Sequence, residues 1–372
     1  MPPPNIRDSI TLNQMCFLSC HNAYAAEQYG YIYANQYYSI KEQLERGVRS
    51  FELDIEKRSW KHQYPFWGPA GSTISLCHSS YLINCLIQPN PVGLIDKAIG
   101  PTSLLDILKL YLAFLTQFPD QLIVITFEDR VTLQYGATYE DLDAVFVAAG
   151  IDSMTLKPTD WDPVANKGWP TIGWLLQNNK RFICVSDQSS AEVGYTTTLP
   201  YASSFYTYYQ WFNFAQNQSG YGKDIGTALE ERSASQTYNQ NIKYILELDW
   251  YDQGGMIFGG CISDIINIAG NIIHKQTPFG WDYEDLNGPK LQNFIATAFK
   301  EGLTTNVGGQ KAIIGQNRRP NIVKVDYFNK GTIGLDINFT ITLVNAINTE
   351  SYNVDPPTRA RLFAPLSPTI LI

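Results

Sequence analysis

The sequence predicts an α/β fold, a somewhat irregular (β/α)8 TIM barrel with a C-terminal extension. Three observations carry that expectation. Short apolar, β-branched runs alternate with helical patterns for most of the length, which argues for parallel strands joined by crossover helices. About eight strand candidates fall within roughly 330 residues, the size and count of a closed barrel rather than an open sheet. A chain of 372 residues that is 44% hydrophobic and 17% charged can also bury one large core.

In chain order, strands are expected at 15–20, 49–55, 73–77, 122–127, 181–186, 205–211, 244–248 and 322–327. Helices are expected at 39–46, 102–118, 139–148, 171–177 and 288–301. The clearest helix is 102–118, where Leu104, Leu105, Leu108, Tyr111, Leu112 and Leu115 recur at helical spacing. Pro101-Thr102-Ser103 supplies its N-cap and Pro119 stops it. Residues 1–334 form the expected barrel, and 335–372 a strand followed by a proline-rich wrap packed on it.

Charge and composition narrow the function. With 27 basic and 35 acidic side chains the net charge is −8, which excludes the basic footprint of a nucleic-acid binder. Aromatics make up 13%, a level suited to handling carbohydrate, lipid or an interface, although tyrosines also simply pack. No signal peptide and no transmembrane segment is visible. The protein is therefore expected to act in the cytosol, to leave by a route that needs no such signal, or to have lost a leader. The six cysteines (Cys16, Cys20, Cys77, Cys85, Cys184 and Cys261) show no metal-site spacing and read as buried thiols. Cys77 and Cys85 would close a disulfide in an oxidising compartment.

The chemistry lies at strand ends. His21 follows the first strand candidate and His78 the third; on a barrel both would project onto the carboxyl-terminal rim, where active sites are built. In the second strand Glu52 and Asp54 are two apart and share a face, although their neighbours Phe51, Leu53 and Ile55 are apolar. Two carboxylates on an inward face repel unless a cation or base sits between them. Glu128 closes the fourth strand, and the amide oxygen of Asn22 completes four hard oxygen donors. That set suits Ca²⁺ ahead of Mg²⁺, and not Zn²⁺. Two imidazoles beside such a site would move a proton off an attacking hydroxyl and onto a leaving alkoxide at a phosphodiester.

These residues resemble the X-domain of phosphatidylinositol-specific phospholipases C. The family motif Ser-His-Asn-x-Tyr corresponds to Cys20-His21-Asn22-Ala23-Tyr24 with one change, and Gly-x-Arg-x-x-Glu-Leu-Asp corresponds to Gly47 through Asp54 throughout. The second histidine corresponds to His78 and the acid ending the fourth strand to Glu128. The likeness is dense over 11–131 and thinner to 329. Trp169-Pro170-Thr171 and Asn179-Lys180-Arg181-Phe182 are similar to fungal and plant-like members that consist of an X-domain alone.

The resemblance implies His21 at the inositol 2-hydroxyl and phosphate, and His78 as general acid. The expected catalytic set is His21, His78 and Glu52, and the expected Ca²⁺ ligands are Asn22, Glu52, Asp54 and Glu128. The metal-independent bacterial branch carries Arg where this chain has Asp54, which implies metal dependence here. Animal members carry lysines after the fifth strand for ring phosphates. Here that stretch reads Cys184-Val185-Ser186-Asp187-Gln188, so polyphosphorylated inositol lipids are not the expected substrate. Ser79 replaces a family glycine.

The loop between Asp54 and His78 carries Trp60, Tyr64, Phe66 and Trp67, which would either dip into a bilayer surface or pack as a lid. A net charge of −8 disfavours electrostatic adhesion to anionic lipid, so apolar insertion would supply most of it. His62 and His274 read as structural or surface residues; Lys243 and Lys324 lie in strand candidates and could touch phosphate, but read first as solvated or snorkelling lysines. The expected function is a calcium-dependent phosphodiesterase acting on phosphatidylinositol-type phospholipid at a membrane surface. It would release diacylglycerol and inositol phosphate through a cyclic phosphodiester. The alternatives are a glycerophosphodiester or sphingomyelin phosphodiesterase on the same barrel, or a catalytically silent lipid-binding barrel.

Overall fold

The computed structural model describes residues 9–29, 34–59, 72–76, 103–129, 139–163 and 165–186. It further describes 206–207, 212–217, 229–232, 245–250, 303–307, 310–314, 321–325, 328 and 344. The expected helix at 288–301, the boundary at 334 and the C-terminal strand and wrap lie outside the described residues.

The strands are β1 (Phe17–Cys20), β2 (Ser50–Ser59), β3 (Ser72–Leu76), β4 (Ile123–Asp129), β5 (Thr155–Leu156), β6 (Phe182–Ser186) and β7 (Tyr206–Thr207). They continue with β8 (Phe212–Asn217), β9 (Leu229–Arg232), β10 (Ile245–Trp250), β11 (Leu303–Val307), β12 (Gln310–Ile314) and β13 (Ile322–Val325). The helices are α1 (Ile40–Glu45), α2 (Leu104–Gln117), α3 (Tyr139–Ala149) and α4 (Ile172–Gln177). Thr171 caps α4 and Ser39 caps α1, each hydroxyl accepting from a backbone N–H three residues on.

Parallel ladders join β8 to β10, β10 to β13, β13 to β1, β1 to β2, β2 to β4, β4 to β6 and β6 to β7. Read cyclically, this is the strand order of a (β/α)8 barrel. Among the described residues no ladder joins β7 to β8, so the sheet is open at that junction. The α/β barrel class expected from the sequence is therefore the observed one, with two changes of detail. The run 73–77 is not the third barrel strand: β2 continues past the rim to Ser59, and β3 folds back on it antiparallel, with Leu76 opposite Ile55. The second change is near 205–211: of that run only Tyr206–Thr207 are described, pairing with β6, and a further strand that was not expected, β8, follows at 212–217.

Alternation along the strands divides the core into two. Leu18, Cys20, Phe51, Leu53, Ile55, Ile123, Ile125, Phe127, Phe182 and Val323 pack outward against Leu44, Leu108, Leu115 and Phe146 of the helices. Residues of the opposite parity face inward. Phe17, Val124, Ile183 and Ile322 join Ile10, Leu12 and Met15 of the N-terminal segment with Ile172 and Leu175 of α4. Leu12 donates to Pro170 O (2.9 Å) and Ile172 to Ile10 O (2.8 Å), so segment and helix close the amino-terminal end together. Nearer the carboxyl end the inward positions turn polar: Ser19, Ser50 and Thr126, then Glu52, Asp54 and Lys324, all buried.

Candidate active site

At the carboxyl end of β1 the chain turns through Asn22, whose φ of 44° is left-handed, a conformation asparagine tolerates better than most residues. The turn lays its backbone across both neighbouring strands. His21 N donates to Val325 O (3.0 Å) on the β13 side, and Ala23 N donates to Glu52 O (3.0 Å) on the β2 side. Gln36 reinforces the first contact, its Nε2 donating to His21 O and to Val325 O (2.9 Å each). His21 is thereby held at the rim by backbone bonds before its ring makes any contact.

The ring lies between two amides: Asn35 Nδ2 is 3.3 Å from Nδ1, and the Asn22 amide is 3.1 Å from Nε2. The same Nε2 is 3.5 Å from Glu52 Oε2, which also accepts from Asn22 N at 3.4 Å. The other oxygen of Glu52 accepts from Lys324 Nζ at 2.9 Å. Burial pushes the Glu52 carboxyl upward, but the charges of Lys324 and His21, with hydrogen bonds from Lys324 and Asn22, outweigh it and hold the group below its ordinary value. Asp54 is buried beside it and accepts from Tyr24 Oη at 3.2 Å. Glu128 is half-buried and stands opposite Asp54 in the β2–β4 register.

The Asn22 amide bears on whether a hard cation fits. Its hydrogen bonds are all satisfied when Nδ2 donates to both Asp54 oxygens (3.2 and 3.0 Å) and Oδ1 accepts from His21 Nε2 (3.1 Å). Turned over, Oδ1 meets two carboxylate oxygens, an arrangement that needs a cation between them. An amide oxygen and carboxylates are the donors Ca²⁺ prefers, so the residues fit it. Among the described residues no three His, Cys, Asp or Glu side chains converge on one metal position.

Of the expected site residues, the structure brings His21, Asn22, Glu52 and Asp54 together and aligns Glu128 opposite Asp54. His78 lies outside the described residues; Leu76, two residues before it, pairs with Ile55 beside Asp54. Trp60, Tyr64, Phe66, Trp67, His62, His274, Lys243, Cys77, Cys85 and Cys261 also lie outside them. Cys16, Cys20 and Cys184 are buried thiols, as expected. Lys324 corrects the expectation of a solvated or snorkelling lysine: it is 3% exposed and ion-paired inside the barrel. It was legible only as one charge in the apolar run Ile322-Val323-Lys324-Val325, at inward parity. Asn35 and Gln36 were also missed, since nothing in their spacing marks two amides that fold back on His21.

A histidine held by amides beside a carboxylate pair, at the carboxyl ends of parallel strands, is an arrangement suited to acid–base hydrolysis on an α/β barrel. The model of the family described as PI-PLC X 1 matches residues 11–225. This chain belongs to that family, the phosphatidylinositol-specific phospholipase C X-domain enzymes, which are phosphoric diester hydrolases. No curated protein sequence matches it. Similar solved structures include the phosphatidylinositol-specific phospholipase C of Listeria monocytogenes, at 12% identity and TM-score 0.45 over 91% of this chain and 97% of that one. The Ca²⁺-dependent enzyme of Streptomyces antibioticus is 13% identical over 86% and 96%, with TM-score 0.44. A calcium-dependent enzyme from a Pseudomonas species is 16% identical over 54% and 67%, with TM-score 0.36.

Proposed function

We propose that this protein is a calcium-dependent phospholipase C that cleaves phosphatidylinositol-type lipids to diacylglycerol and a cyclic inositol phosphodiester. The observation that carries this reading is the placement of His21 between Asn22 and Asn35, 3.5 Å from Glu52 at the barrel rim. In the first step His21 takes the proton of the inositol 2-hydroxyl as that oxygen attacks phosphorus. Glu52, kept ionised by Lys324, stabilises the imidazolium that forms. The bond from phosphorus to the glycerol oxygen breaks, and His78 supplies the proton the departing alkoxide needs. Water then opens the cyclic product with the two histidines in reversed roles.

Asn22, Asp54 and the Oε2 edge of Glu52, with Glu128 opposite, are the residues that would hold Ca²⁺. When bound, the ion neutralises charge on the phosphate oxygens and lowers the pKa of the attacking hydroxyl. The β2–β3 hairpin supports a lipid surface as the place of action, because β2 runs beyond Asp54 to Ser59 and residues 60–71 join its far end to Ser72. Trp60, Tyr64, Phe66 and Trp67 belong to that connection and would insert among lipid headgroups.

Purified protein given phosphatidylinositol vesicles with Ca²⁺ should yield a cyclic inositol phosphate by ³¹P NMR, and none in excess chelator. Full turnover in chelator would overturn the metal dependence. Choline release from sphingomyelin without any inositol product would overturn the substrate.

A further inference from the structure

We infer that Lys324 tunes the cation site: it holds Glu52 oriented in the absence of metal, and lowers the affinity of the site for a divalent cation. This rests on the calcium reading above. Lys324 stands at an inward position of β13, in register with Ser19 of β1, and its Nζ lies 2.9 Å from Glu52 Oε1. Its side chain is 4% exposed and its ammonium is ion-paired with Glu52, so its charge bears directly on that carboxylate.

The geometry bounds the effect. A cation about 2.5 Å from Oε2 lies within about 8 Å of the ammonium, on summing that length, the width of the carboxylate and the ion-pair contact. A monocation and a dication about 8 Å apart repel by an amount worth about fivefold in Kd even at the dielectric of water, and more inside a barrel. Lys324 also claims one of the two Glu52 oxygens, so Glu52 offers the metal a single edge. A leucine or methionine at this position would release Glu52 Oε1 and remove one opposing charge. The ammonium thus trades metal affinity for a carboxylate that stays in place when the ion leaves.

The test is calcium titration by calorimetry, without substrate, on the full chain and on Lys324→Met, Lys324→Gln and Lys324→Arg. The inference expects at least about fivefold tighter binding in the Met and Gln variants, and wild-type affinity in the Arg variant. A neutral variant that binds calcium when the wild type shows no detectable binding supports it equally. Wild-type binding with neutral variants no tighter would overturn the tuning role and leave the calcium site standing. Absence of binding in every protein would overturn both. A neutral variant that is unfolded in chelator but folds when calcium is added supports the inference, because the ion then replaces the ammonium beside Glu52. One that stays unfolded with calcium overturns it.

Discussion

The Glu52–Lys324 pair makes a sharp claim about stability that needs no substrate and no metal. The two side chains are 11% and 4% exposed and meet at 2.9 Å. Glu52→Gln keeps the shape but takes the Glu52 charge away from a buried ammonium 2.9 Å off, a change worth about 3–5 kcal/mol. Lys324→Met leaves the carboxylate, which still has His21 Nε2 at 3.5 Å and Asn22 N at 3.4 Å, so the expected loss lies near the low end, about 3 kcal/mol. Removing both partners removes both charges, and the double variant should lose no more than about 2 kcal/mol. Urea denaturation in chelator, followed by tryptophan fluorescence, would read all four proteins. The double variant should be at least about 4 kcal/mol better than the sum of the singles. Additive losses, matching within about 0.5 kcal/mol, would mean that the two groups do not meet inside the barrel.

Three further outcomes follow from the same geometry. His21→Ala should lower kcat/KM on phosphatidylinositol vesicles by roughly 10²–10⁴ with the fold intact by circular dichroism, since one proton-transfer group is worth about that. Arg49→Met should cost about 3–5 kcal/mol in urea, because the Arg49 guanidinium donates to Gln121 Oε1 (2.8 Å), Leu44 O (2.7 Å) and Val48 O (2.8 Å), and the methionine donates to none. The Glu52 carboxyl is held below its ordinary value of 4.5, so the folded state binds its proton more weakly than the unfolded chain does. Its contribution is complete above that pH and is lost as pH falls through the lowered folded value. In chelator the wild type should therefore lose stability below pH 4.5 more steeply than Glu52→Gln does.

Legibility in the sequence followed the range of the forces involved. Glu52 and Asp54 could be read because strand alternation is local: charges two apart among apolar neighbours must share a face. The leucines of 104–115 announced their helix for the same reason. The run 73–77 misled because a β-branched stretch looks alike whether it joins a parallel barrel or folds back as a hairpin; the difference lies in how far β2 runs past Ile55. Lys324 showed itself only as one charge in an apolar run; its pairing was beyond reach, because its partner is 272 residues away. The left-handed turn at Asn22, which lets His21 and Ala23 bond to different strands, is likewise a tertiary fact.

The spacing of Gly-x-Arg-x-x-Glu-Leu-Asp itself has a physical explanation in this barrel. Gly47 adopts a φ of 101°, which frees the chain to leave α1 sharply. Arg49 is then pinned to the last turn of α1 through Leu44 O and to the approach of β4 through Gln121, with its charge 4.7 Å from the Phe114 ring centre. Those contacts fix where β2 begins, and a one-residue slip would reverse every side chain above. Glu52 and Asp54 would then enter the helix-facing cluster, and Phe51 and Leu53 the polar end of the barrel. An arginine far from the chemistry is thus what aims the carboxylates at His21 and Lys324. The same logic separates two kinds of damage: loss of Arg49 unseats the whole strand, whereas loss of one inward charge unbalances a set whose members offset each other.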